Sequence, residues 1–123
     1  MRLVDLPTFL AMPAGTVYAK YEPCVFGELA IKDDSVPASD PVTWYLQDLI
    51  PWFEGCNESM GYFDALESMQ RGEETPPLDY DITSKDGLYE REQLFAVFER
   101  RDVEALVARL SRALNDGYSQ EQR

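Results

Sequence analysis

Hydrophobic positions change their spacing several times along the chain, and each change marks an element. Asp5 stands ahead of Leu6-Pro7-Thr8-Phe9-Leu10-Ala11-Met12, with Pro13 behind. A capping carboxylate, a first-turn proline and a closing proline predict a short helix over 5–12. After Gly15, residues 16–21 alternate β-branched and aromatic positions, as a strand does. Glu22-Pro23-Cys24 reads as a turn. Residues 25–32 form a second strand, with Val25, Leu29 and Ile31 on one face and Phe26, Glu28 and Lys32 on the other, so the two strands make a hairpin. Residues 33–39 read as a polar loop.

Asp40-Pro41 carries the signature of a helix start. Val42, Tyr45, Leu46, Leu49, Ile50 and Phe53 then share one helical stripe, which predicts a second helix ended by Pro51 and Gly55. Another helix opens at Asn57 or Ser59, turns Tyr62, Ala65, Leu66 and Met69 inward and stops at Gly72. A third strand over 78–83 alternates Leu78, Tyr80 and Ile82 with Asp79 and Asp81. Lys85-Asp86-Gly87 reads as a turn. Residues 93–99 read as a fourth strand, although their apolar run also fits a helix. Asp102 caps a last helix whose stripe is Val103, Leu106, Val107, Leu110 and Leu114, with Arg109 and Arg112 toward its negative end and Gly117 closing it.

This order, α-β-β-α-α-β-β-α, predicts an α+β fold: a single domain over 1–117, with an antiparallel sheet of about four strands and helices packed on one face. Residues 118–123 read as a frayed tail. A chain of 123 residues is long enough to bury a core without disulfides or metals.

Charge changes the picture. Between Glu28 and Asp81 lie thirteen carboxylates against Lys32 and Arg71, so that stretch holds −11 of the chain's net −12. A field of that sign repels nucleic acid and anionic membranes and attracts basic protein surfaces. The chain has no histidine, which removes the commonest general base and metal ligand. Ser–His and Cys–His catalysis are thereby excluded. There is no phosphate loop, dinucleotide fingerprint or calcium-loop pattern. A carboxylate pair for glycoside chemistry is easy to find by chance among 23 acids. The expectation is a protein that is not an enzyme, with no catalytic residue, metal or cofactor. Cys24 and Cys56 lack metal spacing and read as reduced structural thiols. The start has no signal-peptide pattern and no stretch approaches a membrane span, so a cytoplasmic location is expected.

Three surfaces are candidates. Trp44 falls on the outer side of the expected 42–53 helix, with Asp48 beside it and Trp52 at the border; a tryptophan so placed is an interface anchor unless a neighbouring element covers it. Asp33, Asp34, Glu73 and Glu74 belong to the acidic field that would dock on a basic protein. On the sheet, Tyr18, Lys20, Phe26 and Lys32 share an expected polar face, where lysines and aromatics could hold an anionic ligand; a plain solvated face is the alternative. Asp79 and Asp81 with Glu28 would suit a divalent cation only weakly, and read as wet strand positions.

Leu10 to Tyr18, Lys20 to Lys32, and Lys85-Asp86-Gly87-Leu88-Tyr89 running into Gln93 to Glu99 resemble small, functionally unassigned proteins of tailed bacteriophages and prophages. The resemblance covers about half the chain and transfers no active site. It implies a phage origin and the cytoplasm of an infected bacterium. Small phage proteins without enzymatic motifs often inhibit host proteins or sequester defence signals. Three functions are therefore expected in turn: a binding protein that counters a host defence by occupying a protein surface; an oligomeric sponge for a nucleotide-type immune signal, its pocket at a subunit boundary; or a minor assembly or virion-associated protein.

Overall fold

The computed structural model of the protein describes residues 1–23, 25–55, 59–87, 89, 90 and 92–118, without the side chains of Phe26 and Ser59. Cys24, Cys56 and the tail beyond Tyr118 lie outside the described residues. The elements are β1 (Arg2–Val4), α1 (Leu6–Leu10), β2 (Val17–Glu22), β3 (Val25–Phe26), β4 (Ala30–Val36), β5 (Thr43–Asp48), α2 (Ser59–Gln70), β6 (Ser84–Asp86), β7 (Leu94–Val97) and α3 (Arg100–Tyr118). The fold is α+β. One antiparallel sheet runs in the order β1-β7-β2-β4-β5-β6, and β3 pairs with β2 end-on to β4.

The expected hairpin is present. Tyr18 pairs with Ala30, and Tyr21 with Phe26. Its second strand is divided at Gly27–Leu29, where the Gly27 amide donates to the Lys20 carbonyl at 2.8 Å. A Cβ on Gly27 would lie 3.0 Å from that oxygen, so a bare backbone is needed for the approach. The β4 strand then continues through the expected loop to Val36. The Asp5 side chain caps α1 by accepting from the Thr8 amide at 3.0 Å. The Glu99 amide donates to the Asp102 carboxylate at 2.9 Å, so Asp102 caps α3 from its third position. Gly72, at φ 77°, closes α2; its amide bonds Met69 and the Glu73 amide bonds Ser68, the paired bonds of a Schellman end.

Two elements differ from expectation. The helix over 42–53 is instead β5, entered through a cis Asp40–Pro41 peptide. Thr43 to Asp48 satisfies either period. Pairing decides it: β5 lies between β4 and β6, with Lys32 opposite Leu46 and Trp44 opposite Asp86. The strand over 78–83 is reduced to a single bridge between Leu78 and Phe53, with a turn at Tyr80–Asp81. The neighbouring strand is β6, in the segment expected to be a turn. β1 had no distinct sequence signal and zips onto β7, with Arg2 opposite Val97 and Val4 opposite Phe95.

The core lies on one sheet face. Val4, Tyr18, Ala30, Trp44, Leu46, Phe95 and Val97 gather around Phe9 of α1. The Phe9 ring stacks on Phe95 at 4.1 Å and meets Trp44 edge-on at 5.1 Å. On the other face Ala19 and Ala96 are buried, whereas Leu3, Tyr45 and Leu94 are exposed. Among the helices, α1 supplies the cover of the core face. No described residue of α3 is buried.

Candidate functional site

Trp44 is fully enclosed, not outward-facing. Once its segment is a strand, alternation carries Trp44 and Leu46 to the core face with Tyr18. The indole Nε1 donates to the Tyr18 hydroxyl at 2.8 Å, which satisfies two buried polar groups at once. Burial raises the Tyr18 pKa to about 12, against the lowering effect of the Trp44 hydrogen bond. Trp44 is a core residue, and the interface-anchor assignment does not apply to it.

The expected wet sheet face is the packed one. Tyr18 is buried. Lys32 is 2% exposed; its Nζ donates to the carbonyls of Met12 at 2.9 Å and Asp33 at 3.0 Å and stands 5.7 Å from the Phe9 ring centre. Burial holds its pKa below the ordinary lysine value, against the opposing pull of Asp34 and Asp33. The reversal follows from volume: Phe9, Tyr18, Trp44 and Phe95 need one common side. Lys32 shares that side and threads its apolar stem through it.

Lys20 emerges at the polar end of the same face. A shallow groove of about 340 Å³ there is lined by Tyr18, Lys20, Glu22, Glu28, Asp48 and Asp86 among others. Lys20 pairs with Asp86 at 2.7 Å and lies 5.8 Å from the Trp44 ring centre. Burial raises the Asp48 pKa, and the charges of Glu28 and Asp86 raise it further. Four carboxylates thus surround one ammonium. That field suits neither a phosphate nor a nucleotide, and the structure does not bring Lys32 to Lys20 as a second cation.

Asp33 and Asp34 stand at the β4 irregularity between Lys32 and Ser35, where pairing with β5 shifts register. Glu73 and Glu74 follow α2 on a different element. Trp52 belongs with them: it lies on the 49–83 excursion between β5 and β6, which carries α2. The segments on either side of α2 are laced together, the Glu54 amide to the Pro77 carbonyl and the Asp79 amide to the Trp52 carbonyl, each at 2.7 Å.

This excursion displays aromatic rings in the open. Trp52 is 40% exposed and its ring lies 4.7 Å from Tyr62. Tyr62 also contacts Phe53 at 5.8 Å and Phe63 at 6.4 Å. Phe63 is 57% exposed, and Ile50, Met60 and Tyr80 are exposed on the same excursion. Glu54, Asp64, Glu67, Glu73, Glu74 and Asp81 are exposed among them. No family model, curated protein or solved structure matches this chain.

Exposed aromatic and thioether side chains on one segment with exposed carboxylates are a composition that suits an interface with an apolar centre and a charged rim. Tyr62 and Phe63 belong to the aromatics that the sequence interleaves with the acidic run, whereas Ile50, expected on an inward helical stripe, is exposed and Met60 was not singled out. The doublets Trp52-Phe53 and Tyr62-Phe63, each followed by an acid, were the available signal.

Proposed function

We propose that this protein is a binding protein without enzymatic activity, which occupies a basic protein surface through the 49–83 excursion. One observation carries the reading: Trp52 and Phe63 stand exposed in one aromatic cluster with half-buried Tyr62, on a segment whose Glu54, Asp64, Glu67, Glu73, Glu74 and Asp81 are exposed as well. The aromatic faces supply contact area at small entropic cost, and the acidic rim steers a basic partner into register. In the setting that the phage resemblance implies, the partner is a host protein and the effect is loss of a bacterial defence, in the cytoplasm of the infected cell.

The experiment couples capture to genetics. Immobilised protein is exposed to host lysate at low salt, and the retained basic protein is purified and titrated against wild type, Trp52→Ala and Glu73→Gln/Glu74→Gln. The reading expects affinity to fall in both variants and with added salt, with only a small change in melting temperature from the lost Trp52–Tyr62 ring contact and Arg71–Glu73 ion pair. Phage plating on hosts with and without the captured component then improves only where the component is present. A partner bound equally well by Trp52→Ala, or no partner at low salt, sinks the reading.

A further inference from the structure

The 19-residue helix α3 leaves a continuous apolar stripe uncovered: Val107, Leu110, Leu114 and Tyr118 are each more than half exposed. In proteins most of a helix's stability comes from packing an amphipathic face, and α3 is half-buried only at Asp102, Val103 and Leu106. Its charge differs from that of the acidic middle of the chain. Arg100, Arg101, Arg109 and Arg112 against Asp102, Glu104 and Asp116 leave it at +1 in a molecule of −12. Two copies that meet here face less repulsion than across the acidic middle, and a basic partner has less to gain.

We infer that α3 packs against α3 of a second copy, in the opposite direction, about a twofold axis between residues 111 and 112. The register comes from the sequence. Val103, Leu106, Leu110, Ala113 and Gly117 follow the 3-4 spacing of a helix-pairing seam. With the axis between 111 and 112, Leu110 faces Ala113 of the second copy and Leu106 faces its Gly117, so large side chains meet small ones. On one flank Val107 lies against Leu114 of the second copy. On the other, Arg109 lies against Asp116 of the second copy, and both pairs occur twice by symmetry. Within one chain Arg109 and Asp116 have no ion-pair partner among the described residues. A Cβ on Gly117 meets nothing within 4 Å, so the seat for Leu106 is open. At 1.5 Å per residue the two helix starts stand roughly 35 Å apart. That exceeds the ~8 Å screening length several-fold and weakens repulsion between the acidic bodies that the two starts carry.

The arrangement is tested by sedimentation of the full chain across a concentration series. Wild type is expected to form a dimer. Leu110→Glu should raise the dimer dissociation constant by about 100-fold or more, because it buries a charge. Gly117→Leu should weaken the dimer while raising helical content of the dilute monomer, since the added side chain is free in one copy and blocked by the second. Arg109→Asp and Asp116→Arg should each weaken it about tenfold by setting like charges opposite, and the double variant should restore it. Ala108→Glu, on the far side of the helix, should leave it unchanged. A wild type that stays monomeric at every concentration overturns the proposal, including one that instead binds anionic lipid vesicles. So does a dimer indifferent to Leu110→Glu, or a charge swap that restores nothing.

Discussion

The Trp44–Tyr18 hydrogen bond pairs two polar groups inside the core. Tyr18→Phe keeps the ring and its packing against Phe9 but leaves the indole donor without a partner. An unsatisfied buried donor costs about 1–3 kcal/mol, which a denaturant titration reads as a lowered midpoint at constant slope. Trp44→Ala also removes the edge contacts to Phe9 and Phe95. It should cost about 3–5 kcal/mol. Asp48 acts in the opposite sense. Its folded pKa is raised above the ordinary 3.8, so the native state holds its proton more tightly than the unfolded state does. Stability contributed by this group is therefore lost as pH rises from 3.8 through the raised value, and the full penalty is present at neutral pH. Asp48→Asn should raise the melting temperature at neutral pH, with the gain shrinking as pH falls through that window. A lowered melting temperature at neutral pH would show that the carboxylate is held by a favourable partner instead.

At the scale of elements, the 49–83 excursion and the sheet should respond separately. If the proposed function holds, Trp52→Ala is expected to weaken partner binding by about 2 kcal/mol or more, a larger effect than the loss of its ring contact with Tyr62 has on folding. Gly87→Ala should do the reverse. A Cβ there would come within 2.7 Å of Thr43 Cγ2, at the β5–β6 edge. The clash should lower the melting temperature while affinity for a partner of the excursion persists. A joint loss in both variants would mean that the excursion and the sheet form one cooperative unit. The elements also differ in how legible they were. α1, α2 and α3 carry their own punctuation in Asp5 and Pro7, in Gly72, and in Asp102, and these act within one turn of chain. The β2–β4 hairpin carries a local turn. The 42–53 segment had helix-start chemistry at Asp40-Pro41 and a plausible stripe, yet it folds as β5. Backbone partners on β4 and β6, distant in sequence from Trp44 and Leu46, satisfy its amides and carbonyls. Strand identity that depends on such partners leaves no local mark.

For the whole molecule, the −12 charge makes association salt-sensitive. Encounter with a basic partner should slow markedly as ionic strength rises, while dissociation changes less, because long-range steering is screened before short-range contacts are. Stopped-flow or surface-binding kinetics at two salt concentrations would check this; a salt effect confined to dissociation would contradict it. The sequence by itself determined the quantities that add along a chain: the acidic middle, the lack of histidine, the α+β class, the helix ends at Asp5 and Gly72 and the amphipathic last helix, though that helix runs past Gly117 to Tyr118. Trp52, Glu73 and Glu74, which the sequence put forward, are exposed on the excursion. Tertiary structure alone decided which sheet face is inside. Alternation put Tyr18, Lys20 and Lys32 on one side but carried no information about which side is wet. That choice was made by Phe9, delivered from α1 onto Tyr18, Trp44 and Phe95, because four large rings bury more apolar surface together than the Val25, Leu29 and Ile31 side of the hairpin could.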